Sequence, residues 1–100
     1  MEKVAFEDTG AGRFRVEGQL NFATAAKALE TSRGLFAEER TIRMDLSGVT
    51  ATDSAGLALL VEWVIRARQG KCQLTYSHVP QQILAIARIS DVDTMLPITE

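Results

Sequence analysis

Cysteine and histidine are almost missing from this 100-residue chain, which has one of each, Cys72 and His78. A lone cysteine closes no internal disulfide, and one His with one Cys does not make a set of metal ligands, so no metal is expected. Cys72 stands beside Gln73 and Leu74 in what reads as a strand, where a free thiol behaves as a small buried hydrophobe. A hydrolytic triad needs an imidazole with partners, and His78 falls at a strand end before Val79-Pro80, where a surface loop histidine is expected. An enzyme is therefore not expected.

Other absences narrow the class further. Lys and Arg number 11 against 13 Asp and Glu, giving a formal charge of −2 and a pI near 5.4 with no block of one sign. Electrostatic capture of nucleic acid, or of an anionic membrane surface, is excluded as the main activity. The longest apolar run, Ala55 to Val61, stops at Glu62, far short of the roughly 20 residues that span a bilayer, so no direct membrane insertion is expected. The opening Met1-Glu2-Lys3-Val4 has no apolar signal core, which makes the cytoplasm the expected compartment. Neither G-x-x-x-x-G-K-[ST] nor G-x-G-x-x-G occurs, and Gly10-Ala11-Gly12 lies in a hairpin turn, so no nucleotide or other cofactor is expected.

What is present is 46% hydrophobic and 24% charged, the composition of one ordinary globular domain over residues 1–100. Val4 and Phe6, then Phe14 and Val16, alternate with polar residues around Asp8-Thr9-Gly10-Ala11-Gly12, which predicts a β-hairpin from Lys3–Glu7 and Arg13–Glu17. From Asn21, a candidate cap, the period becomes helical, with Phe22, Ala25, Ala26, Leu29 and Phe36 on one face and an end near Gly34. Thr41 to Leu46 reads as a strand broken by Ser47-Gly48, and Ser54 to Gln69 as a helix stopped by Gly70. Lys71 to Ser77 is a further strand, Pro80 opens a helix to Ile89, and Asp93 to Ile98 reads as an added edge strand. This order predicts an α/β fold, or α+β by stricter accounting, with a mixed sheet of four to five strands and helices mainly on one side.

The informative segment is the strand-to-helix junction Thr50-Ala51-Thr52-Asp53-Ser54-Ala55-Gly56-Leu57. Asp53 or Ser54 can cap the helix, and Gly56 can let it pack closely on the sheet. A carboxylate at this place offsets unsatisfied amides, a structural use preferred over an acid pair with Asp45. At about 100° per residue, Leu57, Leu60, Val61, Val64 and Arg68 share one helix face, and Ala55, Leu59, Glu62, Arg66 and marginally Trp63 the other. Leu59 and Trp63 then extend the loop into a mixed apolar and charged docking patch, with Trp63 and Arg66 as anchors. The alternative places Trp63 at the edge of the core.

The run Ile42-Arg43-Met44-Asp45-Leu46-Ser47-Gly48-Val49-Thr50-Ala51-Thr52-Asp53-Ser54-Ala55-Gly56-Leu57 resembles the signature of STAS domains, the family named for sulfate transporters and anti-sigma factor antagonists. That signature is a strand ending D-L-S-x-V followed by D-[ST]-x-G-L opening a helix. Gly18-Gln19-Leu20 fits a second landmark, and the element order carries the resemblance over nearly the whole chain. The likeness is greatest to MlaB-type STAS subunits of Mla phospholipid ABC transporters, which have D-T-G-G-L-A-L-L where this chain has Asp53-Ser54-Ala55-Gly56-Leu57-Ala58-Leu59-Leu60. Leu96-Pro97 matches a late Leu-Pro of the same group.

The resemblance implies a STAS-type fold and a binding module without catalysis of its own. An MlaB-type subunit would bind the cytoplasmic ATPase of the transporter, which sits with a membrane permease, and support its assembly and activity in phospholipid transport and lipid asymmetry. It would lie peripheral to the inner membrane through that partner. The expected contact residues are Thr52, Asp53, Ser54, Ala55, Leu59, Glu62, Trp63 and Arg66. Among anti-sigma factor antagonists the position of Ser54 is the one a partner kinase phosphorylates, which gives the alternative function. Where that group often has G-E-L-D, this chain has Gly18-Gln19-Leu20-Asn21, without the two acids near the expected kinase-facing loop.

Overall fold

The hairpin begins the architecture as the alternation requires: β1 (Val4–Gly10) and β2 (Arg13–Leu20) pair antiparallel, with Phe6 opposite Val16. The structure, a computed structural model, describes residues 3–37 and 39–99; Met1 and Glu2, which open the chain, lie outside them. After β2 come α1 (Ala25–Thr31), β3 (Thr41–Thr52), α2 (Ser54–Gln69), β4 (Gln73–Ser77) and α3 (Gln81–Ile89). Among the described residues the sheet has the order β1-β2-β3-β4, with β2, β3 and β4 mutually parallel. It is the four-strand mixed sheet with three helices that the element order predicts.

Strand pleating sorts the side chains between two environments. Phe14, Val16, Ile42, Met44, Leu46, Leu74 and Tyr76 are buried on the helix-covered face, with Val4 and Phe6 packed at its edge. The intervening Glu7, Arg13, Arg15, Arg43 and Gln73 are exposed on the other face, and Asp45, Thr75 and Ser77 are half-buried there.

Four elements differ from the sequence expectation. β3 does not stop at Ser47-Gly48 but runs on to Thr52, because β2 continues alongside it through two register shifts. Gly48 permits this: a Cβ there would stand 2.9 Å from the Val16 carbonyl oxygen. α1 is shorter than expected and starts at Ala25, since Asn21 organises a turn before it, its carbonyl accepting from Thr24 N and Ala25 N and its side chain from Ala23 N. Pro80 stands at the N-cap of α3 rather than inside it. The expected edge strand at Asp93 to Ile98 is a 3₁₀ turn, Asp93–Met95, followed by a single parallel bridge from Ile98 to Tyr76.

α2 is the central helix, packed against both α1 and α3, and this changes which of its residues are buried. Leu57, Leu60 and Val64 face inward as expected, but Leu59, Trp63 and Ala67 are buried as well, while Val61 is half-buried and Arg68 exposed. Trp63 is fully buried: its indole N–H donates to the Ser32 hydroxyl at 2.7 Å, and Phe6 meets its ring edge-on at 5.7 Å. Ser32 in turn donates to Leu29 O. On the α3 side the buried Tyr76 hydroxyl donates to Leu60 O at 2.6 Å, and burial pushes its phenol pKa well up. Cys72 is buried.

The indole bond gives a direct test of this core. Ser32→Ala leaves a buried N–H without its acceptor, at an expected cost of about 2 kcal/mol. A fall of about 10 °C in the thermal midpoint is the corresponding readout for a domain of this size.

Candidate functional site

The junction between β3 and α2 is built by one carboxylate. Asp53 is extended (φ −150, ψ −165), which ends the strand and turns its side chain back over the helix start. One carboxylate oxygen accepts from Ala55 N at 2.9 Å and so caps α2. The other accepts from Phe22 N at 3.1 Å, reaching 31 residues back in sequence to the loop between β2 and α1. The expected cap is therefore present, and the same group ties a second loop to it.

Around this carboxylate the packing is close. Gly56 is buried against the end of β2; a Cβ there would stand 2.6 Å from Leu20 O and would also collide with the Thr52 hydroxyl. Thr52 is half-buried. Ser54, the first residue of α2, is exposed, and its hydroxyl enters no hydrogen bond among the described residues. A hydroxyl in this position is open to contact or to modification, and the helix N-terminus behind it favours negative charge.

From the junction an open apolar groove of about 600 Å³ runs between α1 and α2. Ala25, Ala26 and Leu29 form one wall, Ala55, Ala58 and Leu59 the other, with Phe22 and Glu62 also lining it. Phe22 is 87% exposed, an unusual position for a phenylalanine. Its backbone is the partner of Asp53, so the residue that caps α2 also sets the place of this ring. Glu62 holds Arg66 at 3.1 Å one helical turn on.

The structure brings Asp53, Ser54, Ala55, Leu59 and Glu62 to the junction and groove, with Arg66 beside them on α2 and Thr52 beneath. Trp63 is corrected: it is fully buried with Ser32 and Phe6 and offers nothing to a docking surface. Leu59 is 4% exposed, so it forms groove wall rather than an outward patch. Phe22, Ala25, Ala26, Leu29 and Ala58 are groove residues that sequence reasoning did not assign to a site. The spacing puts the first four on one face with Phe36; the available signal for a site was a large aromatic in a turn preceding a run of alanines.

The remaining chemistry-bearing groups lie elsewhere. His78 is exposed on the open sheet face, its Nδ1 3.1 Å from the Asp45 carboxylate. Partial burial alone would raise the Asp45 pKa, but hydrogen bonds from Ser47 and the neighbouring His78 outweigh it, so the carboxyl sits below its ordinary value. Among the described residues no group of three or more His, Cys, Asp or Glu side chains could hold a metal ion.

The family model described as "Mlab, STAS domain" matches residues 5–97. No curated protein matches the sequence. Among solved structures, a candidate anti-sigma factor antagonist from Thermotoga maritima superposes with a TM-score of 0.69 at 14% identity, covering 99% of this chain and 86% of that one. The unphosphorylated form of the anti-sigma factor antagonist SpoIIAA gives a TM-score of 0.70 at 10% identity, covering 98% of this chain and 89% of that one. At these identities the likeness is one of fold.

Two substitutions test the junction. Asp53→Ala removes a cap and a loop tie, with an expected loss of about 1 to 2 kcal/mol in urea unfolding. Gly56→Ala forces a methyl group into backbone, with an expected loss of about 1 to 3 kcal/mol.

Proposed function

The chain belongs to the Mlab STAS-domain family, and we propose that it acts as a non-catalytic subunit that docks on the cytoplasmic ATPase of an Mla-type ABC transporter. In this reading residues 1–100 form one STAS domain that supports assembly and activity of the ATPase in phospholipid transport and outer-membrane lipid asymmetry. Its place is peripheral to the inner membrane, through the ATPase and its permease. No helix among the described residues is long and apolar enough to cross a membrane.

The observation that carries this reading is the groove with Ser54 at its head and Phe22 standing 87% exposed at its side. An exposed ring above a floor of alanines suits a ridge of apolar side chains from a helix of the partner, and aromatic anchors of this kind dominate interface energies. Binding that prefers the assembled ATPase shifts the ATPase toward that state by the difference in affinity. Thr52, Asp53, Ser54, Ala55, Leu59, Glu62 and Arg66 are the proposed contact and support residues, joined by Phe22 and Ala58.

A second reading rests on the exposed Ser54 hydroxyl at the start of α2: an anti-sigma factor antagonist that a partner kinase phosphorylates there. The fold likeness to SpoIIAA in its unphosphorylated form supports it. A phosphate on Ser54 would gain from the helix N-terminus but would bring nearly two negative charges beside Asp53. Either way the modification would oppose docking at the groove.

Affinity purification of the tagged protein in mild detergent, with mass spectrometry of what stays bound, separates the two. An ABC ATPase with its permease is the expected catch, lost on Ser54→Asp. Phe22→Ala is expected to weaken binding of the purified ATPase by about 2 kcal/mol, roughly thirtyfold. Recovery of a small ATP-binding kinase, with one phosphate added to Ser54 by intact mass, would move the protein to the second reading. Undiminished capture by both variants would overturn the placement of the contact.

A further inference from the structure

The face of the sheet turned away from the helices carries a row of three side chains without partners among the described residues. Arg13 on β2 is in register with Arg43 on β3, and Arg43 with Thr75 on β4. Neighbouring strands lie about 4.8 Å apart, so the two guanidinium groups share one patch of surface, and like charges in such a position oppose folding. Among the described residues neither arginine enters an ion pair or a side-chain hydrogen bond. The Thr75 hydroxyl oxygen beneath them is closed to solvent and has no hydrogen-bond partner among the described residues.

Two of the acids nearby are committed elsewhere. Glu17 holds Arg15 at 3.2 Å, and Asp45 accepts from Ser47 N at 2.9 Å while pairing with His78 at 3.1 Å. Glu7 lies across from Arg15, on the far side of β2 from Arg43. The row opens into a concave groove of about 420 Å³, rimmed by Glu7 and Thr9 on one side and by His78 and Thr99 on the other. That volume is within the range of small-molecule sites and exceeds what a bare oxyanion fills.

We infer that this groove binds a soluble phosphate monoester of a small organic molecule, with Arg13 and Arg43 donating to the phosphate oxygens. A single tetrahedral dianion would satisfy both guanidinium groups and turn the repulsion between them into attraction. Guanidinium forks match phosphate oxygens in pairs, which a lysine could not reproduce. A bilayer headgroup is the less suitable source, because Glu7 and Asp45 stand at the mouth and the chain carries a net charge of −2. The site is on the opposite side of the sheet from the α1–α2 groove and does not depend on the function proposed there.

Titration of backbone amide resonances with glycerol 3-phosphate and with inorganic phosphate tests the site. Saturable shifts centred on Arg13, Arg43 and Thr75 are expected with both compounds, weakened at least about tenfold in Arg43→Gln and in Arg13→Gln. Without ligand, each variant is expected to melt at or above the parent temperature, since one of two repelling charges is gone. The proposal is overturned by shifts that fail to saturate at about 10 mM ligand, or that sodium chloride of equal ionic strength reproduces. Glutamine variants that bind as well as the parent, or that melt well below it, would overturn it too. So would binding to vesicles of phosphatidic acid in phosphatidylcholine with none to glycerol 3-phosphate.

Discussion

The Asp53 carboxylate is the tie at the point where the paired ends of β2 and β3 hand over to α1 and α2. Its two oxygens accept one amide from the start of α2 and one from the loop before α1. The first bond satisfies a helix end that would otherwise lack an acceptor. The second fixes the entry to α1 relative to α2, and with it the walls of the groove between them. Ser54 is presented outward because its neighbour faces in, and Phe22 is held at the groove because its amide is pinned. The close fit of Gly56 against Leu20 O leaves the junction little freedom to move as a unit. A binding surface that forms from two helices is thus tied at one end by the Asp53 carboxylate and further along by the bond from Trp63 to Ser32.

Much of this was legible in the sequence, for reasons that differ from element to element. The strand alternation of Phe14, Val16, Ile42 and Met44 read correctly because one face of the sheet is solvated and the other is covered. Asp53 and Gly70 read correctly as the ends of α2 because caps are local chemistry. What failed was whatever depended on neighbours distant in sequence. Trp63 belongs to the core because α1 brings Ser32 to its indole, and no spacing within α2 announces that. β3 passes through Ser47-Gly48 because β2 lies alongside, so a local breaker was overruled by a ladder. The groove went unread for a related cause: spacing puts Ala25, Ala26 and Leu29 on one face, but only the place of α2 makes that face the wall of a groove.

The two faces of the sheet follow different rules. On the helix side apolar packing is dense and the few polar groups, the Tyr76 hydroxyl and the Trp63 indole, each have a partner. On the open side charge is abundant and incompletely paired, with Arg15 and Asp45 satisfied by neighbours while Arg13 and Arg43 are not. Surface ion pairs contribute little to stability, so the distribution of these charges is free to answer to something other than folding. Belonging to the Mlab STAS-domain family accounts for the fold.

The short C-terminal bridge has a consequence for how copies of this chain meet one another. Tyr76 donates its amide to Pro97 O and accepts from Thr99 N, so the last residues described lie along β4 and occupy part of its outer edge. The other outer edge belongs to β1, whose backbone has no strand beyond it among the described residues. There Glu7 and Asp8 are exposed and the pairing with β2 slips before Gly10. Acidic side chains and an irregular strand end are what discourage a second sheet from adding to the first. One border of the sheet is thus guarded by its own tail and the other by charge, which leaves the helical groove and the open face as the surfaces available for recognition.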